Sequence, residues 1–300
     1  MKDDRKISDC FIFSKNPFNR SIWTLINQLF RKISQVFILK LNKKIIFFDI
    51  DRTLYDPDTR SIPKSTIEAL RILNEREDIE IAIATGRAFY MLHIIEEIID
   101  YINIFVLING QIIMKDGETI YRNPIPTKDI LEVVEVLDSK EMKYGFLGEF
   151  DETLNIVDDK GKEAFELVDM KLPRIDPHFY LDNNIYQMWT FCDKSNTAFF
   201  RDRFENLQIV TWLGGGFDIL TKGQSKKEGI KKILEIEGIP LQDAYAIGDG
   251  DNDIEMLDFI PQSVAMGNAS ENAKKHAKYI STDIKNDGVL NGLKMVGLVD

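Results

Sequence analysis

From Lys43 onward, short apolar runs alternate with stretches whose apolar residues recur every three or four positions. That rhythm is the pattern of a parallel sheet covered by helices on both faces. Residues 45–48 predict a strand ending at Asp49, residues 63–75 a helix, and residues 79–84 a strand ending at Thr85. A helix over 88–100 and a strand over 104–108, ending at Asn109, continue the series. Three strands thus carry polar residues at their carboxyl ends, the edge at which open α/β sheets bind ligands. Beyond Gly110 the rhythm loosens into a hairpin over 112–114 and 119–121 with Asp116-Gly117 in its turn, then Asn123-Pro124-Ile125-Pro126 as a boundary. Helices over 128–137, 161–169 and 196–206, with strands near 144–147, 154–157 and 185–191, predict an inserted α+β domain. The α/β rhythm resumes with a strand over 217–220, a helix over 225–237 and a strand over 244–247 that runs into Gly248-Asp249. A helix over 253–259 and a strand over 263–266 follow. The predicted organisation is an extension over 1–43, a core over 44–124 and 209–300, and an insert over 125–208.

The extension differs from the rest of the chain. Ile22, Leu25, Ile26, Leu29, Ile33, Val36 and Phe37 recur at helical spacing, with Arg31, Lys32 and Gln35 between them. Its first 44 residues hold ten Lys/Arg against three Asp, a charge of +7 that leaves −18 on the remainder of a chain of net −11. Residues 18–41 therefore suit a weak membrane or protein contact. Asn27, Gln28, Arg31 and Lys32 interrupt the apolar stretch, so neither a signal peptide nor a membrane span is expected.

Charge also limits the chemistry. A net charge of −11 argues against a nucleic-acid partner, because phosphate backbones need a basic footprint. A small anionic ester would need a local metal ion, lysine or backbone amides to offset that field. Cys10 and Cys192 have no metal-ligand or disulfide spacing, consistent with a cytoplasmic location, and His93, His178 and His276 are too scattered for a Ser-His or Cys-His hydrolase.

Four segments remain as candidates. Asp49-Ile50-Asp51 puts two carboxylates after a strand, an arrangement that suits Mg²⁺ and nucleophilic attack and equally an Asx turn. Thr85-Gly86-Arg87 offers a hydroxyl and amides for a phosphate oxygen, or an ordinary helix cap. Lys226 opens a helix, where its charge opposes the helix dipole and calls for an anionic partner. Gly248-Asp249-Gly250-Asp251-Asn252-Asp253 crowds carboxylates in a way that favours a cation, without the ligand spacing of an EF-hand.

In this order the segments resemble the haloacid dehalogenase (HAD) superfamily, within it the Cof-type sugar phosphatases, over residues 43–298. Leu107-Ile108-Asn109-Gly110, Val264-Ala265-Met266-Gly267-Asn268-Ala269 and Asn286-Asp287-Gly288-Val289 are similar to further family segments. The resemblance implies a Rossmann-like, doubly wound parallel-sheet core with an α+β cap of the C2 type. It implies Asp49 as the nucleophile forming an aspartyl-phosphate and Asp51 as general acid and base. Thr85, Gly86, Lys226 and Asn252 would bind the phosphoryl group, and Mg²⁺ would sit on Asp49, the Asp51 carbonyl and Asp249, with Asp253 bracing the site. Glu149, Tyr186 and Gln187 of the cap are candidates to meet a leaving group. The implied activity is hydrolysis of small phosphorylated metabolites, sugar phosphates first; the alternatives are a phosphosugar mutase and a non-catalytic regulatory protein. One departure is Arg52, where the Cof-type pattern carries glycine, and it is expected to narrow the site or add a phosphate contact.

Overall fold

The computed structural model describes residues 43–158, 162, 172–191, 199–200, 203–211 and 216–300. The chain separates into Met1–Lys43 and Lys44–Asp300, and every described element belongs to the second unit. The amphipathic helix expected over 22–37 and the helix expected over 161–169 lie outside the described residues, apart from residue 162, and so does most of the helix expected over 196–206. No helix among the described residues is long and apolar enough to cross a membrane.

Two sheets organise the fold. The first contains β1 (Lys44–Phe48), β2 (Ile79–Ala84), β3 (Ile104–Leu107), β4 (Ile112–Lys115) and β5 (Glu118–Arg122). The second is built from β6 (Tyr144–Leu147), β7 (Glu152–Leu154), β8 (Arg174–Ile175), β9 (Gln187–Thr190), β10 (Leu207–Thr211) and β11 (Phe217–Thr221). The chain then returns to the first sheet with β12 (Ala244–Gly248), β13 (Gln262–Ala265) and β14 (Tyr279–Ile280). The eight-stranded order is β14-β13-β12-β1-β2-β3-β4-β5, parallel as far as β3 and antiparallel through the β4–β5 hairpin. The six-stranded order is β10-β11-β9-β6-β7-β8, antiparallel except for the β7–β8 pair.

Alternation along β1 explains why the first sheet is covered twice. Ile46 and Phe48 face a core shared with Ala69, Leu70 and Leu73 of helix α1 (Lys64–Asn74). Ile45 and Phe47 face a second core with Ile230, Ile233 and Leu234 of a later helix, Lys226–Glu237. The predicted helix after Thr85 forms instead as a 3₁₀ segment, Phe89–Tyr101, broken at Ile95. Helix α2 (Thr127–Ser139) packs its Ile130, Val133 and Leu137 into a separate core under the second sheet. In the hairpin, Asp116 and Gly117 both adopt positive φ, 50° and 81°, as a tight two-residue β turn requires.

The strand over 217–220 forms, yet it pairs with β9 and β10 in the second sheet. Residues 217–221, expected in the core segment that starts at 209, thus share a sheet with strands of the insert. The reason is physical: β11 pairs with β9, which ends at Thr190 far back along the chain, and brings β10 with it as its other neighbour; such long-range pairing is invisible to a local apolar pattern.

Candidate active site

The site forms where the order of strands reverses. From β1 the chain moves outward to β2 and β3, and from β12 it moves the other way to β13 and β14, a reversal that in open α/β sheets marks the carboxyl ends of the flanking strands, here β1 and β12, as the ligand site. Phe48 pairs with Ile247, and the Asp49 amide donates to the Ile247 carbonyl at 3.0 Å. Asp49 and Asp249 are thereby brought side by side.

Helix α3 (Lys226–Glu237) delivers the lysine. Its first turn presses against the end of β3, where Gly110 at φ 89° would clash with the Ser225 carbonyl, 2.4 Å away, if it carried a Cβ. Lys226 is buried in the approach this permits. Its Nζ donates to Asp49 Oδ1 and to Asp253 Oδ1, each at 2.6 Å. Ser225 stands at the cap position, but its hydroxyl donates to Glu255 at 2.8 Å and leaves the helix amides alone.

Oxygens of Asp49, Asp249 and Asp253 lie within 4.8 Å of one another, and all three residues are buried. Asp253 is already satisfied: Lys226 takes one oxygen, and the amides of Asp249 and Gly250 donate to the other at 2.9 Å each. Asp249 accepts from the Thr53 hydroxyl at 3.3 Å and meets the Arg52 Nε at 3.6 Å. Burial and then Asp253 push the Asp249 carboxyl up to about 7, against the pull of Arg52 and Lys226. Burial also pushes Asp49 well above the usual carboxylate range, although Lys226 pulls it back. Lys226 itself is held charged, because Asp253 and Asp49 more than offset its own burial. Three buried carboxylates around one buried ammonium are short of positive charge. The hard oxygen donors of Asp49 and Asp249 fit a divalent cation such as Mg²⁺, whereas Asp253 has no oxygen to spare.

The remaining predicted residues divide. Asp51 is turned toward Arg87, whose Nε and Nη2 donate to its two oxygens at 2.8 and 2.7 Å. The Thr85 hydroxyl is buried at the end of β2 and accepts the Arg87 amide at 3.1 Å, with Gly86 between them. Asn252 is exposed, and Asp253 takes the contact with Lys226. Above the core, Glu149 receives Arg122 through two hydrogen bonds of 2.8 Å, Thr119 at 2.9 Å and the Tyr186 hydroxyl at 3.3 Å. It joins the hairpin of the first sheet to the second sheet. The partnerships that sequence reasoning missed are Arg87 with Asp51 and Thr53 with Asp249. Both Arg87 and Thr53 lie two positions beyond a candidate, which is the only signal the sequence offers.

Comparison with known proteins gives the family. A family model described as haloacid dehalogenase-like hydrolase matches residues 46–293. YkrA of Bacillus subtilis (strain 168), provisionally named a phosphatase, is 33% identical over 262 residues, covering 86% of this chain and 100% of the relative. A solved hypothetical protein of Geobacillus kaustophilus HTA426 is 34% identical with a TM-score of 0.79, covering 86% of this chain and 100% of the other. The HAD subclass IIB sugar phosphatase BT4131 is 29% identical with a TM-score of 0.78 and the same coverage.

Proposed function

The chain belongs to the haloacid dehalogenase-like hydrolases, a phosphatase among them, and from that premise we propose that it is a Mg²⁺-dependent phosphomonoesterase acting on small phosphorylated metabolites, sugar phosphates first. The observation that carries this reading is the cluster of Asp49, Lys226 and Asp249 at the strand switch point. A relative named as a sugar phosphatase supports the substrate class.

In this reading an Asp49 oxygen attacks phosphorus and the ester bond breaks. Asp51 gives a proton to the departing oxygen, a step in which one of its two contacts with Arg87 must open so that this oxygen can carry the proton, and an aspartyl-phosphate is left at position 49. Asp51, now a carboxylate, removes a proton from water as that water attacks phosphorus, and phosphate leaves with Asp49 restored. Lys226 neutralises Asp49 and the phosphoryl oxygens, while the Thr85 hydroxyl and the Gly86 amide hold those oxygens in line. Asn252, exposed at the rim, is the weakest of the proposed phosphate contacts. Mg²⁺, held by Asp49, the Asp51 carbonyl and Asp249, would supply the positive charge that the buried carboxylates lack. The segment between Pro124 and Thr221 acts as a cap that selects the ester, and the setting is cytoplasmic.

A panel of phosphorylated metabolites assayed with Mg²⁺ and with EDTA tests this function. Phosphate release that depends on Mg²⁺ is expected, strongest with sugar phosphates. Release undiminished by EDTA would remove the metal from the mechanism, and release of an isomerised ester without free phosphate would make the enzyme a mutase.

A further inference from the structure

Arg52 occupies an unfavourable backbone position beside a proposed metal ligand. Its φ of 63° lies in the left-handed region, which favours glycine. Asn268 pins this turn by donating its Nδ2 to the Arg52 carbonyl at 2.8 Å, and the Asn268 Oδ1 is in turn held by the Ile284 amide at 2.8 Å. The turn aims the side chain at Asp249 across a gap of 3.6 Å, with a second contact from Nη2 to the Asn268 carbonyl at 3.5 Å. Both contacts are long and the side chain is 60% exposed, so the guanidinium is loosely held. Next to it lies a cavity of about 220 Å³ rimmed by Asp56, Asp58, Asp283 and Lys285, in which Lys285 already pairs with Asp58 at 2.6 Å and Asp56 and Asp283 remain to receive a displaced guanidinium.

We propose that Arg52 is an internal counter-cation of Asp249, which a divalent ion must displace, and that it weakens the hold of this chain on that ion. The inference rests on the reading of Asp249 as a ligand of the divalent ion. Its logic is electrostatic. A guanidinium and a doubly charged ion cannot share one carboxylate without repulsion, and Arg52 reaches the oxygen of Asp249 that Thr53 leaves open.

Calorimetric titration of the full chain with Mg²⁺ and with Mn²⁺, in the absence of substrate, tests the proposal. R52Q removes the charge, R52G removes charge and backbone strain together, R52K keeps the charge, and D249N removes the proposed ligand. R52Q and R52G are expected to bind either ion roughly three- to tenfold more tightly than the wild type, with R52K close to the wild type. The gap should narrow as ionic strength is raised to about 0.5 M, because salt screens the repulsion. Equal affinity of R52Q and wild type, with binding lost in D249N, would overturn the role of Arg52 and leave the metal site standing. Tightening in R52G but not in R52Q would assign the effect to backbone strain and also overturn it. Binding unaffected by D249N, or absent from every variant, would remove Asp249 as a ligand and the inference with it.

Discussion

Arg87 grips Asp51 through two hydrogen bonds, 2.8 Å from Nε and 2.7 Å from Nη2, across 36 positions of sequence. The pair fixes the carboxylate proposed as general acid and base, and bidentate pairing of this kind is specific to arginine. Arg87→Ala is expected to lower kcat roughly 10- to 100-fold, within what a positioned acid–base group supplies. Arg87→Lys should recover little of the loss, because an ammonium cannot make the two-pronged contact. Steady-state kinetics with circular dichroism as a check on folding measures this.

Lys226 is as much a structural ion as a chemical one. Replacing it by methionine leaves Asp49 and Asp253 buried without their cation, and such losses cost about 3–5 kcal/mol. Lys226→Met should therefore reduce both activity and stability. Adding Asp253→Asn should restore part of the stability and none of the activity. Urea denaturation of the two single variants and the double variant isolates that coupling.

Gly110 and Gly117 share a positive φ, 89° and 81°, but differ in surroundings. A Cβ on Gly117 meets nothing within 4 Å, while one on Gly110 meets the Ser225 carbonyl at 2.4 Å and the Gly229 amide at 3.0 Å. Gly117→Ala is expected to cost about 1 kcal/mol from backbone strain alone. Gly110→Ala should cost at least twice that, and it should also lower activity by shifting the start of the helix that carries Lys226. Thermal unfolding and kinetics of both variants make the comparison.

Burial pushes the Glu152 carboxyl from 4.5 up to about 7, with Asp151 adding to the effect. Between those two values the folded chain retains a proton that the unfolded chain has released, so the stability associated with this group falls as pH rises through the window. Glu152→Gln should match the wild type near about pH 4 and exceed it by on the order of 2 kcal/mol near about pH 8. Urea denaturation at the two pH values checks the sign.

Much of the core and its site is legible in the amino-acid order alone. Past Lys44 in β1 and Glu80 in β2 both strands run apolar to their ends, because both faces of their sheet are covered, so those ends, and with them Asp49 and Thr85, can be read directly. The approach of Asp249 to Asp49 follows from strand order at the switch point. Local pattern cannot show that β10 and β11 belong to the second sheet, because β11 reaches β9 by long-range pairing and β10 joins only through β11. Nor can it show that Asp51 faces Arg87, or that Arg52 faces Asp249. A side chain chooses its partner by where the backbone aims it, and at Arg52 that aim depends on a left-handed turn pinned by Asn268.

The central claim is that phosphate passes through Asp49. Borohydride reduces an aspartyl-phosphate to homoserine. The Asp51→Asn variant, given p-nitrophenyl phosphate, whose leaving group needs no proton, is slowed chiefly in releasing phosphate from the enzyme, so it can be quenched during turnover, reduced and digested with trypsin. Mass spectrometry of the peptide running from Ile45 to Arg52 then reads the acceptor position. Homoserine is expected at position 49, absent when substrate is omitted. Turnover with no reduced residue in that peptide, or with the modification on another carboxylate, would contradict the claim.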